Sequence, residues 1–327
     1  KVFYEQELKL KALNGSLTGT EFITNSNSQQ ELSGLKYQAG DQVMVSKTID
    51  NNGLSNFLIT DYARQSSLWW LALLFSLLVI AVGRLKGLRA LLVLALTFLI
   101  ILNFIIPQIV NGLNPILISI GGALTILILA VYLTEGFNKT SHLAVASIFL
   151  SLVITGLLAS WFSQLTKLTG LASEEALFLL ALPDQTINLS GLLMAGIIIG
   201  ALGVLDDVVI SQVASVKQII NSNTSLTRRQ VYNRGMKVGI SHLSSMVNTL
   251  FLAYAGAALP LLLLFKINRP LTGGLIGALN NEMIATEIVR ALTGSIGLVL
   301  AVPITTWLAA YFLTNNLKNC NLKGLKV

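Results

Sequence analysis

Two adjacent carboxylates, Asp206 and Asp207, sit inside SGLLMAGIIIGALGVLDDVVISQVASVKQI, an apolar run long enough to cross a bilayer. A charge at the bilayer centre costs roughly 2.5 to 3.5 kcal/mol on insertion scales, so acids in such a place need a use. Low dielectric and a neighbouring like charge both disfavour the ionised form, which suits the pair to taking up and releasing a proton. A proton moving down a 100 mV potential supplies about 2.3 kcal/mol, enough to bias a two-state rearrangement when a pH gradient adds to it. The chemistry expected is therefore a proton relay through Asp206 and Asp207. The competing placement puts both acids at the cytoplasmic end of the span, where exposed carboxylates are cheap. Against it, VVISQVASVKQII keeps helical spacing and apolar content beyond them.

Helical geometry ranks the two acids. Gly196, Gly200, Gly203, Asp207 and Ser211 fall at spacings of four and three, so they form one small, polar stripe. Such stripes let a second helix approach closely, and GxxxG spacing marks packing surfaces in membranes. Asp207 is expected to face protein, with Asp206 rotated about 100° toward Leu202 and Ile210. A second polar face carries Ser245, Thr249, Ala253, Gly256 and Pro260, with Asn248 and Tyr254 nearby. These hydroxyl and amide groups are either ordinary helix glue or membrane-embedded partners of the acids. Thr227 and Gln230 have the spacing of a capping box that starts the lead-in to this span. A third group lies in Leu271 to Gly294, which is too polar to be a plain lipid-facing span. Its Asn280, Asn281, Glu282, Glu287 and Arg290 suggest an external, interface-level or re-entrant helix. Glu287 and Arg290 can pair on one helical face, as a surface ion pair or as part of a vestibule lining.

The elements that must position these groups follow from composition. Of 327 residues, 54% are hydrophobic and 11% charged, and the mean hydropathy is +0.72, whereas soluble domains carry about 25% charged residues. The chain reads as a polytopic α-helical membrane protein with about seven transmembrane helices. They are expected near Leu68–Gly83, Ala90–Ile106, Pro115–Leu133, Leu143–Phe162, Ile187–Leu205 or beyond, Ile240–Phe265 and Ser295–Leu313. Every second loop is basic, with Arg84, Lys86 and Arg89, then Lys139, then Lys217, Arg228, Arg229, Arg234 and Lys237, then Lys318, Lys323 and Lys326. These loops read as cytoplasmic. The net charge of +7 is thus mostly a topology signal. No basic patch is interleaved with aromatics, so nucleic acid is not an expected partner.

Residues 1–66 are then extracytoplasmic and form a small β domain, residues 67–314 a helical bundle and residues 315–327 a basic tail. Val2, Tyr4, Leu8, Leu10 and Ala12 keep to alternate positions, Asn14 and Gly15 supply a turn, and Val43 and Val45 alternate after a turn at Ala39–Asp41. A segment translocated this way needs a hydrophobic stretch upstream of Lys1, which the reading expects to have been trimmed or cleaved. Cys320 is the single cysteine, and His142 and His242 lack metal-site spacing, so neither a disulfide framework nor a metal centre is expected. No Walker loop, GxSxG elbow or Ser/His grouping stands out. The reading is therefore of a non-enzyme without a cofactor. An intramembrane aspartyl protease would need its two acids on different helices in a motif such as GxGD, and here they are adjacent.

NGSLTG, GLKYQAGDQVMV, IIIGALGVLDDVVISQVASVKQI, SHLSSMVNTLFLAYAGAALPLLLLF and NNEMIATEIVRALTGSIGLVLAVPITT resemble the YibE/F membrane proteins of Gram-positive bacteria. The resemblance covers nearly the whole chain. It implies a multi-pass protein of the cell membrane with an external β domain after one further N-terminal helix, and no established activity. GALGVLDDVVISQVASVKQI, SLTRRQVYNRGMKVG and the Ser/Thr-rich span ending in LPLLLLF are more remotely similar to the core of resistance-nodulation-division exporters. That similarity implies proton coupling at Asp206 and Asp207 with Thr249 as a polar partner. No Lys or Arg interrupts the central part of any span, so the cationic partner of that family is missing, as are its large external domains. The functional expectation is a proton-coupled secondary transporter, or a subunit of one. Its expected partners are the lipid bilayer, an unknown small solute, and a homologous subunit or a second copy. The alternative is a membrane assembly or regulatory protein working through the β domain.

Overall fold

The computed structural model describes residues 6–15, 17–25, 36–49, 55–181, 187–267 and 274–323. The chain divides into two compact units, Lys1–Arg84 and Leu85–Val327.

In the first unit, β1 (Glu7–Lys11) pairs antiparallel with β2 (Glu21–Asn25), and β3 (Val43–Ile49) with β4 (Ser55–Tyr62). Leu8 and Leu10 of β1 turn to the more buried side, as their alternation requires. Gly15, with φ 95°, and Gly40, with φ 100°, supply left-handed turn positions that side-chain-bearing residues adopt at a cost. The hairpins join through the Phe22–Phe57 stack, with centroids 4.2 Å apart, and through a hydrogen bond from the Thr24 hydroxyl to the Phe57 carbonyl. Ile59 is fully buried. The Tyr37 amide donates to Gln6 Oε1 at 2.9 Å. The expected small β domain is thus present as two packed hairpins; Val2 and Tyr4 lie outside the described residues.

Helix α1 (Gln65–Ile100) breaks at Arg84, whose φ of 50° and ψ of −128° are not helical. The basic cluster expected to form a loop between two spans begins at this residue. A π-helical turn, Ile101–Ile105, and α2 (Ile106–Val110) follow without a gap. Pro107 lacks the N–H that would bond back to Asn103, and the ladder loosens just ahead of it.

The second unit continues with α3 (Pro115–Glu135), α4 (Lys139–Leu165), the short α5 (Glu174–Leu180), α6 (Leu189–Ser222), α7 (Arg228–Ala257), α8 (Leu259–Ile267), α9 (Gly274–Leu279) and α10 (Glu282–Lys323). Asn114, Asn138, Ser173 and Asn188 each cap the helix that follows them. Thr227 and Gln230 form the expected capping box, their two bonds measuring 3.3 and 2.9 Å.

Among the described residues, five helices are long and apolar enough to cross a membrane, or six if the bent pair α7 and α8, 62° apart, counts as one span. The expectation of about seven differs from this by how Gln65–Val110 and the bent pair are divided into spans. The stretch Gln65–Val110 registers as one 46-residue unit because its residues stay helical on both sides of Arg84. Within Leu271–Gly294 the short helix α9 stands apart from α10, with a turn at Asn280 and Asn281 between them. From Glu282 onward the residues are helical without a break into the last span, while residues 271–273 lie outside the described ones. Gly294 does not interrupt α10; Leu250 and Tyr254 of α7 lie 4.0 Å from where its Cβ would stand.

Helix α6 lies at the centre of the second unit, packed by α3, α4, α7 and α10. Of its most apolar window 56% is buried, against 6% for Gln65–Val110, so α6 supplies the core. Ile198, Leu205 and Val209 of α6 meet Leu127 and Val131 of α3 and Ile148 of α4. Gly297 of α10 presses its backbone on Thr155 of α4. On one end of the bundle, the Arg228 guanidinium stands 4.2 Å from the centroid of the Tyr311 ring. On the other, the Ser190 hydroxyl donates to the Leu168 carbonyl, and Gly191 abuts Pro115.

Candidate functional site

Helix α6 carries both acids, and its packing treats them differently. Asp206 is half-buried and its Oδ1 is out of reach of solvent, with no hydrogen-bond partner among the described residues. Asp207 is exposed. A carboxylate oxygen held away from both water and donors is costly, because its desolvation is not repaid. The two carboxylates that act on Asp206 electrostatically are Asp207 and Glu135, the last residue of α3.

The glycine stripe departs from expectation. Gly196 and Gly203 are exposed, and a methyl group added to either would meet open space. Only Gly200 has a neighbour, the Tyr254 hydroxyl, 3.5 Å from where its Cβ would stand. Among the described residues, the stripe of Gly196, Gly200, Gly203 and Asp207 is thus covered only beside Gly200. It is not the helix contact that its spacing suggested. Asp206, toward Leu202 and Ile210, is the acid inside the packing. Spacing identifies a face but not whether the same chain supplies what covers it.

Close packing by small residues occurs on α7 and is locked by a side chain that the sequence reading passed over. Gln212 of α6 is 3% exposed; its Nε2 donates to the Gly235 carbonyl at 2.9 Å and to Thr306 Oγ1 at 2.7 Å, tying α6, α7 and α10 together. Gly239 leaves room for the Gln212 amide and for Val302. The available signal was the pair Gly235 and Gly239, spaced four apart, facing an amide in an otherwise apolar run.

Ser245, Asn248 and Thr249 are exposed on α7. Thr249 Oγ1 donates to the Ser245 carbonyl at 3.0 Å, within its own helix, so these groups are not brought against the acids. Contacts between Gly200 and Tyr254, and between Gln212 and Gly239, bracket the antiparallel pair α6 and α7. They place Asp207 level with Ser244 to Val247 on the neighbouring helix. Tyr254 is half-buried, with Gly200 on one side and Gly294 of α10 on the other.

The third set lies elsewhere. Asn281 Oδ1 accepts from the Met283 amide at 3.0 Å and opens α10, while exposed Asn280 bonds back to the Ile276 carbonyl at 2.9 Å. Glu282 accepts from the Thr169 amide at 2.6 Å, the Thr169 hydroxyl at 2.8 Å and the Gly170 amide at 3.1 Å, so it fastens the loop after α4 to the start of α10. Glu287 and Arg290 form the expected pair at 3.6 Å. Glu287 also lines, with Tyr254, Phe251 and Ile288, a mainly apolar hollow of about 110 Å³ at the bend between α7 and α8. Tyr254 and Glu287 therefore share one hollow, whereas Asp207 stands about 10 Å farther along α6 from Gly200.

A second cavity, of about 90 Å³, opens between α3, α4 and α6 on the end that carries the basic residues. Glu135, Thr140, Ser141, Ile210, Ala214 and Lys217 are among the residues that line it. No ion pair joins Glu135 to Lys217 among the described residues. Beside it, the Tyr132 hydroxyl and His142 Nδ1 are 2.6 Å apart. No group of three or more His, Cys, Asp or Glu side chains suited to a metal ion occurs among the described residues.

Comparison with known proteins agrees with this architecture. Searches of curated proteins and of solved structures return no match. The family model described as YibE/F-like protein matches residues 71–315, which takes in Asp206, Asp207 and the other candidate site residues of the helical unit. The chain is a multi-pass membrane protein that belongs to the YibE/F-like family.

Proposed function

We propose that the chain is a proton-coupled secondary transporter, or the membrane subunit of one, with Asp206 as the group that takes up and releases the proton. One observation carries the reading. In the most buried helix of the bundle, a carboxylate oxygen is shielded from solvent and has no donor among the described residues, an arrangement that holds a proton far more comfortably than a charge. Asp207, beside it on the open face, is the second member of the relay.

The same open face supports the reading as a subunit. Gly196, Gly203 and Asp207 on α6 and Ser245, Asn248 and Thr249 on α7 are poor company for lipid tails. A homologous subunit or second copy covering them would satisfy these groups. In this reading the basic end faces the cytoplasm and the helices on either side of Arg84 cross the membrane separately, since about 46 residues of helix would be roughly 69 Å long against a core of about 30 Å. The work is movement of a solute and not catalysis.

The test uses the full chain in liposomes with a valinomycin-imposed potassium potential and an internal pH-sensitive dye. Proton uptake is expected in the wild type, and it is expected to be lost in Asp206→Asn and in the Asp206→Asn/Asp207→Asn double variant while both still insert. Uptake unchanged in the double variant refutes the relay.

A further inference from the structure

The cavity at the basic end lies next to Asp206 but does not reach it. Along α6 the residues Asp206, Ile210, Ala214 and Lys217 succeed one another at spacings of four, four and three, so they share one face of the helix. Ile210, Ala214 and Lys217 line the cavity, and Ile210, half-buried, is the residue between it and the carboxylate. One helical turn, with side chains about 6 Å apart, separates Asp206 from the innermost lining residue. At the opposite wall Glu135 closes α3; it is exposed, and it acts electrostatically on Asp206. The helix bearing the acid pair also contributes Lys217 to the rim, and α4 contributes the hydroxyls of Thr140 and Ser141. Ser141 is already committed to the Gly136 carbonyl at 2.6 Å, so the exchangeable carboxylate of the lining is Glu135.

We infer that this cavity is the route by which protons travel between solvent at the basic end and Asp206, with Glu135 as the carboxylate that passes them on and Ile210 as the plug. The inference rests on the reading of Asp206 as a proton carrier. In the transfer, the Glu135 acid gives its proton through cavity water to the Asp206 carboxylate and is reprotonated from bulk; the return runs through the same groups in reverse. No other reactant is needed. The size suits the task, because about 90 Å³ accommodates a few waters at about 30 Å³ each, and Glu135, Lys217 and the hydroxyls offer them partners. The apolar side chain of Ile210 keeps the chain of waters from being continuous, so that transfer requires its displacement.

The liposome assay tests this with Glu135→Gln, Glu135→Asp and added formate. Glu135→Gln is expected to slow proton uptake about a hundredfold, the low side of what a positioned acid or base contributes, with Glu135→Asp retaining most of the rate and formate restoring the Gln variant. In a Cys320→Ser background, Ala214→Cys is expected to react with a membrane-impermeant methanethiosulfonate added on the side bearing Lys217. Normal uptake in Glu135→Gln together with loss in Asp206→Asn overturns the Glu135 route and leaves the carrier reading standing. Normal uptake in both overturns both. A slow Glu135→Gln that formate does not rescue assigns Glu135 a structural part and overturns the inference, as does an unreactive Ala214→Cys.

Discussion

Gly239→Ala and Gly203→Ala are chemically the same change on adjacent helices, and the structure assigns them opposite signs. A Cβ at Gly239 would come closer to Val302 than side chains pack and would stand 2.9 and 3.0 Å from the two polar atoms of the Gln212 amide. Overfilling a packed site costs about 1–3 kcal/mol, while replacing Gly by Ala inside a helix returns up to about 1 kcal/mol. Displacing the amide also weakens its bonds to Gly235 and Thr306, each worth about 0.6 kcal/mol by membrane-protein averages. Gly239→Ala is therefore expected to destabilise the chain by about 1–2 kcal/mol. At Gly203 the added methyl meets open space, so only the helix term remains and the variant is neutral or up to about 1 kcal/mol more stable. The separation of about 2 kcal/mol is more than tenfold in the folding constant. Unfolding of the full chain by sodium dodecyl sulfate in mixed micelles, followed by circular dichroism under monomeric conditions, measures both. A Gly203→Ala variant as damaged as Gly239→Ala would mean that a helix of the same chain sits on the ridge, and the account of the open face would be wrong.

Two further perturbations probe other parts of the molecule. Glu282→Gln weakens the carboxylate's bonds to Thr169 and Gly170; because the site is partly exposed, the expected loss is about 1 kcal/mol, read as faster hydrogen exchange at the Gly170 amide with the core of α10 unchanged. In the β unit, the Arg64 guanidinium 2.7 Å from Asp61, helped by the Tyr62 amide, holds the Asp61 carboxyl below the usual carboxylate range. Its contribution to stability is present above the unfolded value of about 3.9 and disappears as pH falls through the lower folded value. A pH titration of the Tyr62 amide resonance is expected to show this step, and Asp61→Asn is expected to remove it.

Apolar run lengths, the Thr227–Gln230 cap and the alternation of Leu8 and Leu10 were legible because each depends on neighbours in sequence. Burial of Asp206 in preference to Asp207 was not. Lipid tails are as apolar as Leu, so an amphipathic pattern separates polar faces from apolar ones but leaves protein-facing and lipid-facing apolar surface alike. The stripe from Gly196 to Asp207 was correctly grouped on one face, and the error lay in assigning that face a neighbour. Gln212 was overlooked because its value comes from Gly235 and Thr306, 23 and 94 residues away. Continuity of α10 through Gly294 was likewise hidden, because a glycine weakens an isolated helix while the packing of α10 on α4, α6 and α7 involves residues distant in sequence.

The hydroxyls of Ser147, Ser151 and Thr155 are sealed inside the bundle, yet each bonds to a carbonyl one turn earlier in its own α4, at 2.7, 2.8 and 2.8 Å. They ask nothing of the helices around them. A small slide or roll of α4 would therefore break no cross-helix bond at these positions, whereas the same motion of α7 would have to tear Gln212 loose from its partners. Hydrogen bonds thus pin α7 to its neighbours, while α4 is held at these positions by packing alone, as where Gly297 of α10 meets Thr155.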